Sequence, residues 1–460
     1  MKTLFRGGIV VSGRAQKELD ILVDGEKIAA VGRRLSDADA HVVDVSGKFV
    51  FPGFIDGHTH MDLEVSGTVT ADGFDTGTQA ELAGGTTCLI DFATQNKGES
   101  LSYALKRWHE KADGQACCDY AFHLAISDWN EEVSRELEAV VAGGVRSFKL
   151  YMTYDAMAMD DRGIYEILAR LKELGGIAGV HCENRGIIDA RLAEVLKRKG
   201  HRRDVADYPA TRPNLAEAEA VSRLLKIAAC VDTPVIIVHL STKEGLEEVA
   251  RARAAGRKVY VETCPQYLVL DESRYALPGG EGRSYMCAPP LRTKADQDAL
   301  WDALSKGRVQ TVATDHCSFT TAQKAAGEAD FAATPCGMPG AEERPALLYH
   351  YGVGAGKISV EQMCALLSEN PARLYRLYPK KGVIAPGSDA DLVVWDAGTE
   401  YVISGGAQQS AADYAPFEGV RLKGRAGQVY LRGRLVAKNG RIVESGAGRY
   451  VTAADGRIGL

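Results

Sequence analysis

"FPGFIDGHTHMD", residues 51–62, runs from apolar residues straight into a pair of histidines. A short apolar run beside glycine reads as a buried strand, and His58 and His60 stand where that strand meets a loop. Residues two apart on a strand point to the same side, so both imidazoles face one place. One such pair proves little. Its meaning depends on how the other strands end.

Seven more apolar runs follow: "TTCLIDF", "YAFHLAIS", "SFKLYM", "IAGVHC", "VIIVHLS", "KVYVETC" and "TVATDHC". Helical stretches separate them, among them "SLSYALKRWHEKA", "GIYEILARLKELG", "LAEAEAVSRLLKIAACV" and "KEGLEEVARARAAG". Near-continuous apolar strands alternating with helices indicate a parallel sheet covered on both faces. Eight such units predict an α/β fold of the (β/α)8 barrel type, for which ~250 residues is typical. A doubly wound sheet is the alternative.

Outside the barrel the pattern changes to short alternating strands. "GGIVVSG", "ELDILVDGEKIAAVG" and "HVVDVSGKFV" lie near the start, "SDADLVVWD" and "GQVYLRGRLVAKNGRIVESG" near the end. The Asp-Gly and Asn-Gly pairs inside them are hairpin signals. The division expected is a sheet domain from 1–50 and 378–460 around a barrel of 51–377.

Of 460 residues, 45% are hydrophobic and 25% charged, and the net charge is −6. No basic stripe dominates, which argues against nucleic-acid or membrane-surface binding; the densest run, "KRKGHRR" at 197–203, reads as a solvated helix end or loop. The start lacks a signal-like apolar stretch, and no run is long enough to span a bilayer. Ten scattered cysteines without a CxxC pair suit reduced thiols and a cytoplasmic location.

In a (β/α)8 barrel, chemistry belongs at the carboxyl ends of the strands. Five of the eight runs carry a candidate metal ligand there: His58 and His60, Lys149, His181, His239 and Asp315. Each alone has a packing explanation; Asp315 could cap a helix, and His316 reads as a supporting residue rather than a ligand. Four histidines and an aspartate at matched strand ends do not arise by independent packing. Imidazole with carboxylate is zinc-compatible, and nickel, cobalt or manganese could serve. Lys149 would repel cations as an ammonium. A lysine whose pKa is depressed by burial can instead take up CO2, and the carbamate is an anionic two-oxygen bridge.

These stretches as a set resemble the hydantoinase/dihydropyrimidinase group of cyclic amidohydrolases. The resemblance covers essentially the whole chain and rests on "PGFIDGHTH", "AGGTTCLIDF", "SFKLYMTY", "VHCEN", "ETCPQYL", "APPLR", "ATDHC", "GSDADLVVWD" and "AADYAPFEG". It implies a distorted (β/α)8 TIM barrel with a smaller β-sandwich domain formed by both termini. It also implies two divalent ions, zinc first among the candidates, and a homotetramer. His58, His60 and Asp315 would hold one ion and His181 and His239 the other, with N6-carboxylated Lys149 bridging. Tyr154 falls where the group has an oxyanion-stabilising, substrate-binding tyrosine, and Asp315 where it has the proton carrier. Ala288 and Cys336 stand where serine and asparagine bind substrate through their backbone. The activity implied is ring opening of a small cyclic ureide to an N-carbamoyl amino acid. Apolar Leu63, Val65, Met157 and Met159 in the loops after the early strands favour a D-hydantoinase acting on aryl substituents. Dihydropyrimidinase is the alternative, ahead of allantoinase, dihydroorotase or a non-catalytic relative.

Overall fold

The computed structural model describes residues 2–199, 204–454 and 460. The basic run at 197–203 therefore lies largely outside the described residues. Five strands come first: β1 (Lys2–Val11), β2 (Gln16–Asp24), β3 (Lys27–Gly32), β4 (His41–Asp44) and β5 (Phe49–Pro52). After β6 (Phe54–Thr59) comes a two-stranded excursion, β7 (Glu64–Val65) and β8 (Thr68–Val69). The parallel strands continue as β9 (Thr86–Thr94), β10 (Asp119–Ala125), β11 (Ser147–Tyr151), β12 (Ile177–His181), β13 (Val235–Ile237), β14 (Val259–Thr263) and β15 (Thr311–Val312).

Eight of these form one parallel sheet in the order β15-β14-β13-β12-β11-β10-β9-β6. A parallel bridge between Thr59 and His316 links its two edges, so the sheet is a nearly closed barrel rather than a doubly wound one. Every residue of β6, β9, β10, β11 and β12 is buried, as strands covered by helices outside and packed side chains inside must be. The helix Asp161–Leu174 shows why the covering layer forms. Asp160 caps it by accepting from Gly163 N, and Gly175 ends it at φ 69°. Its buried Ile164, Ile167, Leu168 and Leu171 make one apolar stripe.

The late strands are shorter than their apolar runs. In "VIIVHLS" pairing stops at Ile237, and in "TVATDHC" at Val312. Just beyond those points the chain passes through left-handed residues, His239 (φ 39°) and Asp315 (φ 53°). The distortion of the barrel is therefore concentrated where the candidate ligands lie.

Strands from both ends of the chain build the second sheet. β16 (Leu392–Val402), β17 (Arg421–Leu431), β18 (Arg434–Lys438) and β19 (Arg441–Ile442) extend the path β19-β18-β17-β16-β5-β1-β2-β3, with β4 beside β1. Asn439 and Gly440, at φ 52° and 76°, make the β18–β19 turn, as the Asn-Gly signal predicts. Two strands separate β1 from β17, about 14 Å at the usual spacing. Yet the rings of Phe5 and Tyr430 meet edge-on at 4.8 Å. The sheet is folded over on itself, which gives it a two-layered, sandwich-like core.

The barrel floor joins the two parts. Ile55, Ile90, Ala121, Ile177, Ile236 and Val238 pack beneath the site and are closed off by Leu374, Tyr375, Leu377 and Val451. Val451 arrives on a strap that donates from Gly448 N to Ala116 O, from Val451 N to Tyr120 O and from Ala453 N to Gly144 O. Beside it, Lys381 Nζ is buried among Asp119 (2.5 Å), Asp391 (2.6 Å) and Asp389 (3.0 Å), and Arg432 also reaches Asp119. Lys381→Met leaves three buried carboxylates without their shared cation. The expected loss is about 3–5 kcal/mol of stability, read as a lower denaturant midpoint. An unchanged midpoint would show that this cluster does not hold the sheet to the barrel.

Candidate metal centre

The carboxyl end of the barrel gathers all six ligand-type side chains. Asp315 Oδ1 lies 3.2 Å from both His58 Nε2 and His60 Nε2. Lys149 Nζ is 3.3 Å from His58 Nε2. The ring of His239 is 5.4 Å from that of His58 and 4.6 Å from that of His181, centroid to centroid. His58, His239 and Asp315 offer donor atoms within 4.8 Å of one another.

Burial sets the charges. It pushes His58, His239 and His181 below the ordinary imidazole range, and the Lys149 ammonium pushes the same way. Neutral imidazoles with a free lone pair result, which is the form that binds metal. Burial also pushes the Lys149 amine down to about 8, against the pull of Asp315 and Glu262. His239 Nδ1 is buried with no hydrogen-bond partner. An orphaned donor atom beside a carboxylate and further neutral imidazoles fits a divalent cation better than a packed core.

Partners behind the histidines fix their orientation. His58 Nδ1 lies 2.6 Å from Glu262 Oε1, leaving Nε2 toward Asp315. His181 Nε2 lies 2.8 Å from Glu183 Oε2, which also takes a hydrogen bond from Arg212, leaving Nδ1 as the available nitrogen. Carboxylates in this position hold the tautomer and raise the basicity of a metal-binding imidazole. Asp72 grips His316, whose Nε2 donates to Asp72 Oδ2 at 2.9 Å while Nδ1 accepts from Gly340 N and Ala341 N. His316 is thus fully engaged away from the ligand cluster.

The backbone is strained at this end. Tyr154 (φ 71°), His239 and Asp315 are three of ten non-glycine residues with positive φ among those described. Such conformations cost about 1–3 kcal/mol each and persist where surrounding structure enforces them, often at functional sites. A family model of amidohydrolases matches residues 49–436. The chain belongs to the amidohydrolase family.

Relatives align with this amidohydrolase over nearly all of its length. It is 42% identical over 458 residues to a D-hydantoinase of Geobacillus stearothermophilus, covering 99% of this chain and 97% of that one. It is likewise 42% identical over 442 residues to a D-hydantoinase of Streptomyces coelicolor, covering 95% and 94%. Among solved structures, a dihydropyrimidinase from Brevibacillus agri superposes with a TM-score of 0.96 at 43% identity, covering 99% and 100%.

Of the remaining sequence-derived candidates, Tyr154 lies beside the ligand cluster. The Tyr154 ring is 5.3 Å from that of His181, and the Arg212 guanidinium lies 5.6 Å from its centre. Burial raises the Tyr154 phenol well above its usual range, so it keeps its proton. Ala288 and Cys336 sit in adjoining segments, joined where Gly337 N donates to Met286 O. Leu63 and Met159 pack against the main core. Met159 also borders an outer groove of about 1040 Å³, with Trp129 and Tyr165, away from the ligand cluster. Glu183, Glu262, Arg212 and Asp72 support this cluster by their contacts, and none of them stands among the candidates drawn from the sequence. Two of them stand inside the quoted motifs "VHCEN" and "ETCPQYL", and a buried acid two residues after a candidate ligand was the available signal.

Proposed function

We propose that this amidohydrolase is a metal-dependent D-hydantoinase that opens 5-substituted hydantoins to N-carbamoyl amino acids, with a preference for aryl substituents. The observation that carries this reading is the convergence of His58, His60, Lys149, His181, His239 and Asp315 at the barrel's carboxyl end. His58, His60 and Asp315 would hold one divalent ion and His181 and His239 a second. The free amine of Lys149 attacks CO2 and releases a proton, and the resulting carbamate would bridge the pair. Zinc suits this donor set. Bound there, the ions supply Lewis acidity and a water acidic enough to react at neutral pH.

The chain's own groups do the rest. Asp315 accepts the proton released as water adds to the ring carbonyl and hands it to the ring nitrogen as the C–N bond breaks. The protonated Tyr154 hydroxyl donates a hydrogen bond to the carbonyl oxygen as negative charge develops on it. Two buried arginines flank the site, but Arg212 pairs with Glu183 and Arg292 with Glu217. The catalytic unit would comprise 51–377, with 1–50 and 378–460 as the sheet domain. Its free cysteines suit a reducing cytoplasm, and its assembly would be a homotetramer. No described helix is long and apolar enough to cross a membrane.

The experiment is a panel of D-5-phenylhydantoin, dihydrouracil, allantoin and dihydroorotate, run with metal content measured on the same sample. The expected result is near two equivalents of metal per chain and fastest opening of phenylhydantoin, with dihydrouracil next. A folded, metal-loaded sample that opens none of the four would overturn the reading. Dihydrouracil turning over fastest would shift it to dihydropyrimidinase.

A further inference from the structure

Lys324 is 2% exposed, and no carboxylate pairs with it among the described residues. A buried ammonium is tolerated when all of its N–H donors are satisfied. Here Nζ donates to three main-chain carbonyls, those of Met286 (3.0 Å), Pro335 (2.7 Å) and Gly337 (2.6 Å). Those carbonyls belong to two segments distant in the chain. Around the same joint, Gly337 N donates to Met286 O at 2.8 Å, and Tyr208 OH donates to Cys287 O at 2.8 Å while lying 3.4 Å from Cys336 Sγ. Ala288 stands half-open between buried Cys287 and Pro289, and Cys336 half-open between buried Pro335 and Gly337. Each braced segment therefore presents one accessible residue, and these are the two assigned to substrate.

We propose that Lys324 is a positioning residue for the substrate ring: it clamps the 286–288 and 335–337 segments at the separation that admits a cyclic ureide. The inference rests on the reading of Ala288 and Cys336 as substrate contacts. Lys324 touches neither the ring nor the metal ligands, so it acts on binding and on discrimination between five- and six-membered rings. Loading of the metal centre does not depend on it.

The test compares Lys324→Met, which fills the space without donors, and Lys324→Gln, which keeps two N–H donors, with the unaltered enzyme. Metal content, kcat and KM are measured for phenylhydantoin and dihydrouracil. The expected result is near two metals per chain, kcat within a few-fold, and a KM raised by about tenfold or more in Lys324→Met, with Lys324→Gln between. The ratio of kcat/KM for the two rings should change as well. A KM and ring preference both unchanged in either folded variant overturn the inference, as does a loss confined to kcat and metal. Should Lys324→Met not fold, Lys324→Gln decides on the same readouts. Ala288→Leu separates the underlying reading: bulk there must raise KM if the segment meets the ring. No effect of Ala288→Leu removes the substrate contact itself. An effect there with an unchanged Lys324→Gln removes only the role of Lys324.

Discussion

Lys149→Ala should lose its divalent metal and its ring-opening activity together. Lys149 is fully buried at the meeting point of four histidines and an aspartate, with its Nζ 3.3 Å from His58 Nε2 and 4.9 Å from the centre of the Phe92 ring. As an ammonium it would oppose every cation placed there. As a carbamate it would add two anionic oxygens where the donor set otherwise has one carboxylate. Alanine supplies neither, and the remaining imidazoles and Asp315 would have to hold two like charges without a shared bridge. Loss of a group behind a metal ligand commonly costs about 10–100-fold in affinity or activity, and loss of the bridge should exceed that. Metal analysis and kcat on the same folded sample check it. Two equivalents of metal with undiminished turnover would remove Lys149 from the centre.

Tyr154→Phe should lower kcat by on the order of 10²–10³-fold while leaving metal content intact. The hydroxyl stays protonated at every working pH, because burial raises its pKa well above the usual phenol value. A donor locked beside His181 needs no reorganisation when charge develops on the carbonyl oxygen, and this preorganisation is what makes such a hydrogen bond effective. The backbone at Tyr154 is left-handed, at φ 71°, a conformation that a non-glycine residue holds only where its surroundings enforce it. KM should move little, because the contact strengthens as the carbonyl becomes tetrahedral. A kcat equal to that of the unaltered enzyme would exclude Tyr154 from the chemistry.

The barrel was legible because a parallel strand buried on both faces leaves an unmistakable trace. "TTCLIDF" and "SFKLYM" have no polar side to lose, and each corresponds to a strand with every residue buried. The clustering of His58, His60, His181, His239 and Asp315 was legible for a related reason: strand ends of one barrel converge, so ligand types at matched ends must meet. What the pattern does not carry is the backbone at His239 and Asp315. Their left-handed turns depend on partners far away in the chain, such as the hydrogen bond from His60 N to His316 O. Glu262 and Glu183 looked like ordinary acids in a strand and a loop, because a hydrogen bond to a distant or neighbouring imidazole leaves no periodicity. Lys324 was hidden most completely. Nothing in "TTAQKAAGE" sets it apart from a surface lysine, and only the three carbonyls folded around it reveal an interior cation.

The pairing of β5 with β16 constrains how the molecule can be made. Phe49–Pro52 leaves synthesis early, whereas its partner Leu392–Trp395 emerges only after the whole barrel has been translated. Until then one margin of the early sheet offers open hydrogen-bonding groups to any neighbouring polypeptide. The stopper beneath the barrel, Val451 on its strap, comes later still. A nascent chain is thus exposed to off-pathway association for nearly the full duration of elongation, and slowing the ribosome or overloading it should penalise yield more than any change at the catalytic mouth.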